Sequence, residues 1–334
     1  MRAIELQKWG LEGLTPVDVP RLTPARGEVL VRAQAVSLNY RDVEILEGRY
    51  GMPVALPIVP ASDAVAEVVE VGKGVTRFKI RDRVNTVLMP DWQEGEFRGD
   101  YFRHQLGSSV RGVLQEYLVL PETALVRAPM HLGAEAATLP IAAVTAWNAL
   151  RDARVVPGQT VLIQGTGGVA LFSLQLAQLF GARTILVTTH PEKVARVQAL
   201  GADAVIDTRS APDWGERVLD LTDGRGADVI IEVGGGKTLA QSSVALKVGG
   251  YVAVVGYLGG PEVRFDLRTL FIGKRARLHG HTVGSRASFE EMNRAIELHR
   301  LQPVIDSTYP LENVAAAYEK ARSGATFGKV LITL

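Results

Sequence analysis

Hydrophobic and polar positions change their spacing twice along this chain. Up to about residue 128, short runs such as 28–32 alternate apolar and polar residues, and turn residues separate the runs. This pattern predicts many short strands and a barrel-like β domain. From about 130 to 278, continuous apolar strands alternate with helical segments, as in 161–163 followed by 171–177. Repeated βα units whose strands are buried on both faces predict a mostly parallel sheet.

The later part of the chain predicts several further elements. A helix over 238–247, ending at two glycines, precedes a strand over 251–255. Ser288–Glu291 has the form of a capping box and is expected to open an amphipathic helix. A second amphipathic stripe runs over 311–321, and the final strand covers 329–332. We expect the last two helices and this strand to return to the first domain.

A glycine-rich turn joins the strand 161–163 to the helix that follows. Gly165 permits a tight turn, and Gly167 lets the backbone approach a pyrophosphate, which the free N–H groups of a helix N-terminus bind. Ala170 replaces the third glycine of this motif, a tolerated variant. The turn lies between a strand and a helix of a βαβ unit, which predicts dinucleotide binding. The residues predicted to contact the dinucleotide are Gly165, Thr166, Gly167, Gly168 and Val169.

The end of the next strand bears on which dinucleotide is bound. An NAD site usually places Asp or Glu there, about 20 residues after the glycines, to hold the ribose hydroxyls. Thr188 stands at that position, so no carboxylate would repel a 2′-phosphate. The hydroxyls of Thr188 and Thr189 and the ammonium of Lys193 are its candidate ligands, although Lys193 on a solvated helix face is an alternative. We expect NADP(H) in preference to NAD(H).

Short motifs that recur nearly from end to end of the chain resemble one family. They are Ser37–Asp42, Gly48–Tyr50, Val71–Val75, Asp82–Val84, Gln115–Tyr117, Leu139–Pro140, Thr145–Trp147, the glycine turn and Phe327–Val330. Together they resemble the medium-chain dehydrogenase/reductase superfamily, specifically its zinc-free quinone oxidoreductase-like (zeta-crystallin-like) branch. The resemblance implies an α/β protein with a Rossmann doubly wound parallel sheet domain at 130–278. It also implies a GroES-like β-barrel catalytic domain formed by 1–129 and 279–334.

The same resemblance implies further contacts and an assembly. Coenzyme contacts are expected at Thr145, Val233, Gly256, Tyr257, Phe327 and Lys329. Related proteins pair a late strand, here near 277–282, across a two-fold axis, so a homodimer is expected.

The chain departs from the zinc alcohol dehydrogenases of this superfamily at their zinc ligands. The corresponding places hold Ser37–Asn39, Ala61–Asp63 and approximately Ile141, and the chain has no cysteine at all. A catalytic zinc needs three good protein ligands, so we expect no metal. His279 and His281 share one face of a strand, but no third ligand is evident from the sequence. We interpret the pair as part of an interface or of the rim of the active site.

Charge and hydropathy exclude several classes of partner. The 334 residues include 37 Lys and Arg against 36 Asp and Glu, a net charge of +1, which does not favour nucleic acid or an acidic membrane surface. The most apolar window, 136–150, is shorter than the roughly 20 residues a membrane span needs. The first residues show no export signal. We expect a cytoplasmic protein that binds a small-molecule substrate.

Hydride transfer without a metal suits acceptors that delocalise negative charge, namely quinones and α,β-unsaturated carbonyls. The resemblance places Asn39, Asp42 and Tyr50 on the substrate side, with Tyr50 as the candidate hydrogen-bond donor to the developing oxyanion. A packed loop tyrosine at 50 and a structural ion pair of Arg41 with Asp42 are the alternatives. The aromatic residues of the segment 90–112 are hypothesised to form a wall over a flat substrate.

Two other functions stay open. One is a zinc-free alcohol or carbonyl oxidoreductase, because a shared fold does not settle the chemistry. The other is an NADPH-binding protein similar to zeta-crystallin that has little turnover.

Overall fold

The computed structural model describes all 334 residues, which form two compact units. One unit comprises Met1–Val144 together with Val283–Leu334, and the other comprises Thr145–Thr282. Both ends of the chain therefore belong to the same unit, and the second unit is an insertion between them.

Strands and helices alternate regularly only in the middle of the chain. The strands are β1 (Arg2–Leu6), β2 (Leu14–Asp18), β3 (Glu28–Leu38), β4 (Asp63–Val71), β5 (Arg83–Thr86), β6 (Tyr117–Pro121), β7 (Leu125–Arg127), β8 (Thr160–Gln164), β9 (Arg183–Thr188), β10 (Ala204–Asp207), β11 (Ala227–Glu232), β12 (Leu246–Val254), β13 (Arg277–Gly280), β14 (Ile305–Pro310) and β15 (Lys329–Thr333). The α-helices are α1 (Tyr40–Leu46), α2 (Val144–Asp152), α3 (Gly168–Leu179), α4 (Val194–Ala199), α5 (Trp214–Leu221), α6 (Leu239–Ala245), α7 (Arg286–His299) and α8 (Val314–Arg322). None of these helices combines the length and apolarity that a membrane span requires.

The first unit is built on a mixed, mostly antiparallel sheet in the order β14-β15-β3-β4-β5-β7, with β6 also paired to β3. The last strand of the chain, β15, pairs antiparallel with β3, which confirms the predicted return of the C-terminal segment. Val330 lies opposite Leu38, and Asp63 lies opposite Ser37. The register therefore brings the end of β3 next to the first residues of β4 and β15.

The second unit contains six parallel strands in the order β10-β9-β8-β11-β12-β13. All five residues of β8 are buried, as are seven of the twelve residues of α3, so the prediction of a helix buried against a parallel sheet is confirmed. The strand order reverses between β8 and β11. In such sheets ligands bind outside the carboxyl ends of the strands at this switch point, where the glycine turn follows β8.

One predicted boundary in the second unit is wrong. The helix expected over 238–247 ends at Ala245, and strand β12 begins at once with Leu246 instead of at 251. Leu246 pairs with Ala227 of β11, and the register then shifts before Val229 pairs with Tyr251. The two glycines at 249 and 250 therefore lie in an irregular part of the strand and do not form a separate turn.

The start of helix α7 also differs from the prediction. The helix covers Arg286–His299, and the residue that caps it is Ser285, whose hydroxyl accepts the backbone N–H of Ser288 at 3.2 Å. Ser288, predicted as the cap, is thus inside the first turn. Serine at either position satisfies the capping preference, and the sequence pattern alone does not distinguish them.

Candidate active site

Three polar side chains meet where β3, β4 and β15 lie side by side. Nδ2 of Asn39, just after β3, donates to Oδ2 of Asp63 at 2.9 Å. Nζ of Lys329 donates to Oδ1 of Asn39 at 2.5 Å and to the carbonyl oxygen of Leu38 at 2.5 Å. Asn39 thus bridges a buried carboxylate and a buried ammonium, and these three residues are called the Asn39 cluster below.

Burial dominates the electrostatics of the Asn39 cluster. Burial raises the pKa of the Asp63 carboxyl to about 6, although the Lys329 ammonium and the hydrogen bond from Asn39 act in the opposite direction. Burial also lowers the pKa of the Lys329 ammonium, against the attraction of Asp63 and Asp42. Two buried opposite charges reduce each other's desolvation cost, and removal of either one leaves the other uncompensated.

Asp42 fixes the start of helix α1. Its Oδ2 accepts the backbone N–H of Asn39 at 2.8 Å, and its Oδ1 lies 3.4 Å from Nη1 of Arg41. Burial raises the pKa of the Asp42 carboxyl, and the Arg41 guanidinium opposes this shift. Both carboxylate oxygens have protein partners, so the geometry gives Asp42 the role of holding Asn39 in position.

Tyr50 is held by Arg41 of α1 and by polar side chains of the segment 90–112. Its hydroxyl donates to Oε1 of Gln105 at 2.8 Å and accepts from Nε of Arg41 at 3.3 Å. Nη2 of Arg41 in turn donates to Oγ of Ser108 at 2.9 Å. The Tyr50 ring lines a cavity of about 440 Å³, together with Trp9, Ile45, Gly48, Met52, Pro53 and Val54.

The aromatic side chains of the segment 90–112 form one group. The rings of Trp92, Phe97, Tyr101 and Phe102 contact one another, with centroids 5.1 to 6.0 Å apart. Three of them and Ile141 pack against Leu88 and Met89. The aromatic group is therefore beside Ile141, whose backbone contacts the Asn39 cluster.

The positions that hold zinc ligands in zinc alcohol dehydrogenases converge on the Asp63 carboxylate. Asn39 donates to it through the side chain, Ser62 through the hydroxyl at 3.1 Å, and Ile141 through the backbone N–H at 3.1 Å. None of these groups is a thiolate or an imidazole, and the Lys329 ammonium already donates to the side-chain amide oxygen of Asn39. This set of donors does not fit a catalytic zinc.

The glycine turn after β8 leaves open space in front of α3. Gly165 adopts a φ of 80°, which favours glycine, and its N–H donates to the carbonyl oxygen of Val187 on β9 at 2.8 Å. A Cβ atom added at Gly165 or Gly167 would meet no atom within 4 Å. Thr166 is buried in this turn, and Gly168 and Val169 form the first turn of the helix. The geometry fits a nucleotide pyrophosphate on the helix N-terminus.

The end of β9 has no carboxylate at the position that usually binds ribose. The strand ends at Thr188, whose Oγ1 accepts the backbone N–H of His190 at 3.1 Å. Thr189 is exposed, whereas Thr188 and Lys193 are buried. The three predicted phosphate ligands therefore lie close together in the sequence but differ in their exposure to solvent.

The loops after β11 and β12 are bound to each other. The N–H of Leu258 donates to the carbonyl oxygen of Val233 at 3.0 Å, next to the predicted coenzyme residues Gly256 and Tyr257. Thr145 is buried in the first turn of α2, in the same unit. Phe327 and Lys329 belong instead to the first unit, where the Lys329 ammonium is part of the Asn39 cluster.

Two buried carboxylates that organise these regions were missed in the sequence. Asp63 is one, and the other is Glu232 at the end of β11, which accepts Nε2 of Gln164 at 2.7 Å and the N–H of Gly234 at 2.8 Å. Asp63 begins, and Glu232 ends, a strand that consists mostly of apolar residues. Because a carboxylate is rarely buried without partners, this pattern is a signal that could have identified both.

Comparisons with known proteins agree with this architecture. Residues 25–130 match the alcohol dehydrogenase GroES-like domain, and residues 168–298 match the zinc-binding dehydrogenase family. The chain is 38% identical to a zinc-type alcohol dehydrogenase-like protein of Schizosaccharomyces pombe, with 97% of this chain and 96% of that protein covered. It is 31% identical to an acryloyl-coenzyme A reductase of Metallosphaera sedula, with 96% and 97% covered.

A solved structure extends the similarity to the fold. A quinone oxidoreductase of Pseudomonas syringae superimposes with a TM-score of 0.83 at 29% identity, and the match covers 100% of this chain and 99% of that one. The predicted Rossmann sheet and GroES-like domain are thereby confirmed. The chain therefore belongs to the medium-chain dehydrogenase/reductase superfamily of NAD(P)-dependent oxidoreductases.

Proposed function

We propose that the protein transfers hydride from NADPH to a quinone or an α,β-unsaturated carbonyl compound without a catalytic metal ion. The Asn39 cluster carries this proposal, because Asn39 and Asp63 lie in zinc-ligand positions and, with Lys329, bind one another. Without a Lewis acid, the acceptor itself must spread the negative charge that arrives with the hydride. Quinones and conjugated carbonyls do so, and the names of two relatives, a quinone oxidoreductase and an acryloyl-coenzyme A reductase, are compatible with such acceptors.

Asn39 is the residue best placed to bind the acceptor oxygen. The amide has two N–H groups, of which one is donated to Asp63, so the second can donate to an oxyanion. The bond from Lys329 to the amide oxygen polarises the group and strengthens it as a donor. Tyr50 is a weaker candidate than the sequence suggested, because its hydroxyl proton is donated to Gln105.

The overall reaction balances with one proton from water. The reduced nicotinamide, when bound, supplies a hydride to the β carbon of the conjugated acceptor or to the quinone. Addition of the hydride moves an electron pair onto the acceptor oxygen and gives an enolate or a hydroquinone anion. Asn39 would stabilise this oxygen. Protonation at the α carbon, or at the hydroquinone oxygen, completes the reduction.

The preference for NADPH rests on the end of β9. Thr188 leaves this position uncharged, and the hydroxyl of exposed Thr189 is accessible to a 2′-phosphate. In the variant Thr188→Asp, the carboxylate can keep the bond from the His190 N–H while adding a negative charge. We expect the ratio of kcat/KM for NADPH over NADH to fall by about tenfold or more, since a carboxylate there favours ribose hydroxyls. The neutral variant Thr188→Asn is the matched control and should retain the preference.

The reaction itself is tested by the oxidation of NADPH and NADH in the presence of a chelator. The acceptors are quinones, enones and enals, compared with simple aldehydes and ketones. Turnover of quinones or enones that survives the chelator, and that falls at least tenfold in kcat in Asn39→Leu, is the expected result. Activity restricted to simple carbonyls, or abolished by the chelator, would overturn the proposal. Tight NADPH binding without turnover of any acceptor would overturn it as well.

A further inference from the structure

A second group of metal-ligating side chains lies at the edge of the parallel sheet. His279 is on β13, the last strand of that sheet, and His281 follows directly after it. Asp152 is the final residue of α2. One ligand atom from each of these three residues lies within 4.8 Å of the others. Asp152 thus supplies the third partner that was not evident from the sequence of the histidine pair.

The spacing of these atoms differs from that of a hydrogen-bonded pair. Nδ1 of His281 lies 3.6 Å from Oδ2 of Asp152, which is too long for a side-chain hydrogen bond. Two ligands of a tetrahedral ion, each about 2.0–2.1 Å from it, are roughly 3.4 Å apart. The rings of His279 and His281 are stacked with centroids 4.8 Å apart, so both imidazoles face the same region. The distance between Asp152 and His281 therefore resembles that of two ligands of a small cation, with His279 near enough to be the third.

The His281 ring is buried and has a partner on one of its two nitrogens. Its side chain is 3% exposed, and its Nε2 lies 3.0 Å from the hydroxyl of Tyr251 on β12. In the tautomer whose Nε2–H donates to this hydroxyl oxygen, the lone pair of Nδ1 is free for a metal, as is usual for metal-bound histidine.

Asp152 is in an electrostatically unfavourable place without a cation. It ends helix α2, where the macrodipole places partial negative charge, and its carboxylate is about half exposed. A carboxylate at this end of a helix is destabilising unless a positive charge is nearby. A cation bound between Asp152 and the two histidines would provide that charge.

We propose that Asp152, His279 and His281 bind one divalent transition-metal ion, for which Zn²⁺ is the best match. Two imidazole nitrogens and one carboxylate oxygen are ligands that Zn²⁺ accepts, with water in the fourth position. The site is separate from the zinc-ligand positions at the Asn39 cluster. It would connect the end of α2 to the edge strand β13 and stabilise this edge of the sheet, and it needs no role in hydride transfer.

The test uses the full chain, stripped of metal with a chelator and titrated with Co²⁺. Because the chain has no cysteine, visible Co²⁺ bands would report nitrogen and oxygen ligands alone. We expect uptake of one Co²⁺ per chain, displacement of Co²⁺ by Zn²⁺, and loss of binding by more than about a hundredfold in Asp152→Asn and in His279→Gln, since each removes a direct ligand. Tyr251→Phe should weaken binding by about tenfold, because it removes the partner that orients His281.

A matched control separates this site from ordinary surface binding. His104 pairs with Asp91 at 2.5 Å without a third ligand, and both side chains are largely exposed. His104→Gln should bind Co²⁺ like the wild type. Absence of uptake, or uptake that survives Asp152→Asn and His279→Gln, or equal loss in His104→Gln, would overturn the proposal. Asp152 is about half exposed, so its variant is expected to fold, and its NADPH-dependent turnover should equal that of the wild type.

Discussion

The Asn39 cluster of the first unit differs in its hydrogen bonding from the glycine turn and the Asp152–His281 pair of the second unit. In the first unit, the Asn39 cluster pairs its donors with its own acceptors, and a lysine ammonium is its cation. In the second unit, the glycine turn faces open space, and Asp152 and His281 stand 3.6 Å apart without a donor joining them. In the first arrangement the buried charges have protein partners. In the second we expect a ligand to supply the missing partners.

This difference shows that residue type alone does not identify a ligand site. Both regions contain a carboxylate and nitrogen-bearing side chains. In the Asn39 cluster every nitrogen that faces the Asp63 carboxylate carries a proton, so no lone pairs converge on a common point. At the sheet edge, two imidazoles and a carboxylate each place one ligand atom within 4.8 Å of the others, and in the proposed metal site their lone pairs converge on the cation. Convergent acceptors need a cation, whereas matched donors and acceptors do not.

The largest expected effect comes from removing the internal cation of the Asn39 cluster. Lys329→Met leaves the Asp63 carboxylate buried without a compensating charge, and we expect the free energy of unfolding to fall by about 3–5 kcal/mol. Urea denaturation of the wild type and the variant measures this. Lys320→Met is the control, because Lys320 pairs with Asp306 near the surface at 3.2 Å and should cost at most about 1 kcal/mol. Equal losses in the two variants would show that the Asn39 cluster is not a buried ion pair.

A related prediction concerns the pH dependence of stability. The folded pKa of Asp63, about 6, lies above its ordinary value of 3.8, so the folded chain holds this proton more tightly than the unfolded chain. The contribution is fully present below about pH 4 and is lost as the pH rises through about 6. From pH 4 to 7 the wild type should therefore lose on the order of 3 kcal/mol relative to Asp63→Asn.

The variant Asp63→Asn suits this comparison because it preserves most contacts. Its amide oxygen can accept from Asn39 and Ile141, as Oδ2 of the aspartate does, and its NH₂ group can donate to the Ser62 hydroxyl. The measurement is urea denaturation at several pH values for both proteins. A stability difference that stays constant over this range would contradict the raised pKa.

Metal should stabilise the protein through Asp152, His279 and His281 at the sheet edge, whereas the Asn39 cluster should not bind it. Zn²⁺ at one hundred times its dissociation constant should stabilise the folded chain by about 2.7 kcal/mol, provided the unfolded chain does not bind it. Thermal unfolding with and without Zn²⁺ measures the shift. The same addition should leave the melting temperature of Asp152→Asn unchanged, whereas Lys329→Met should still show the full increase. An increase that persists in Asp152→Asn would place the metal elsewhere.

The sequence predicted the parts of the molecule that depend on local pattern. The buried helix α3 and the parallel strands follow from continuous apolar runs, and the turn at Gly165 follows from its glycines and its place between a strand and a helix. The return of β15 to the first unit was also expected. The first two depend on neighbours within a few tens of residues, whereas the return of β15 is a distant contact that agrees with the family resemblance.

The parts that the sequence did not reveal depend on contacts between distant residues. Asn39 bridges Asp63 and Lys329 only because β4 and β15 flank β3. Asp152 reaches His281 only because α2 ends near the sheet edge. The same limit explains the boundary at Leu246, where pairing with Ala227 extends the strand against the local preference for a turn. The spacing of residues within one segment does not predict a contact with a distant segment.

The smallest effect on stability, and the sharpest contrast with the Asn39 cluster, is expected at Gly167. This residue has φ −77° and ψ −176°, which any residue adopts, and an added Cβ would meet no atom within 4 Å. Gly167→Ala should leave stability unchanged or raise it by about 0.5 kcal/mol. The methyl group would nevertheless stand where a pyrophosphate approaches the backbone, so the Kd for NADPH should rise by about tenfold.

Equilibrium titration with NADPH, beside urea denaturation, separates these two expectations for Gly167→Ala. Gly99→Ala is the matched control, because a Cβ there also meets open space but lies outside the glycine turn. If Gly167→Ala lost stability like Lys329→Met, the space before α3 would already be occupied in the folded chain. If it bound NADPH like Gly99→Ala, the pyrophosphate would lie elsewhere. Only unchanged stability with weakened binding fits a region that is kept open for a ligand.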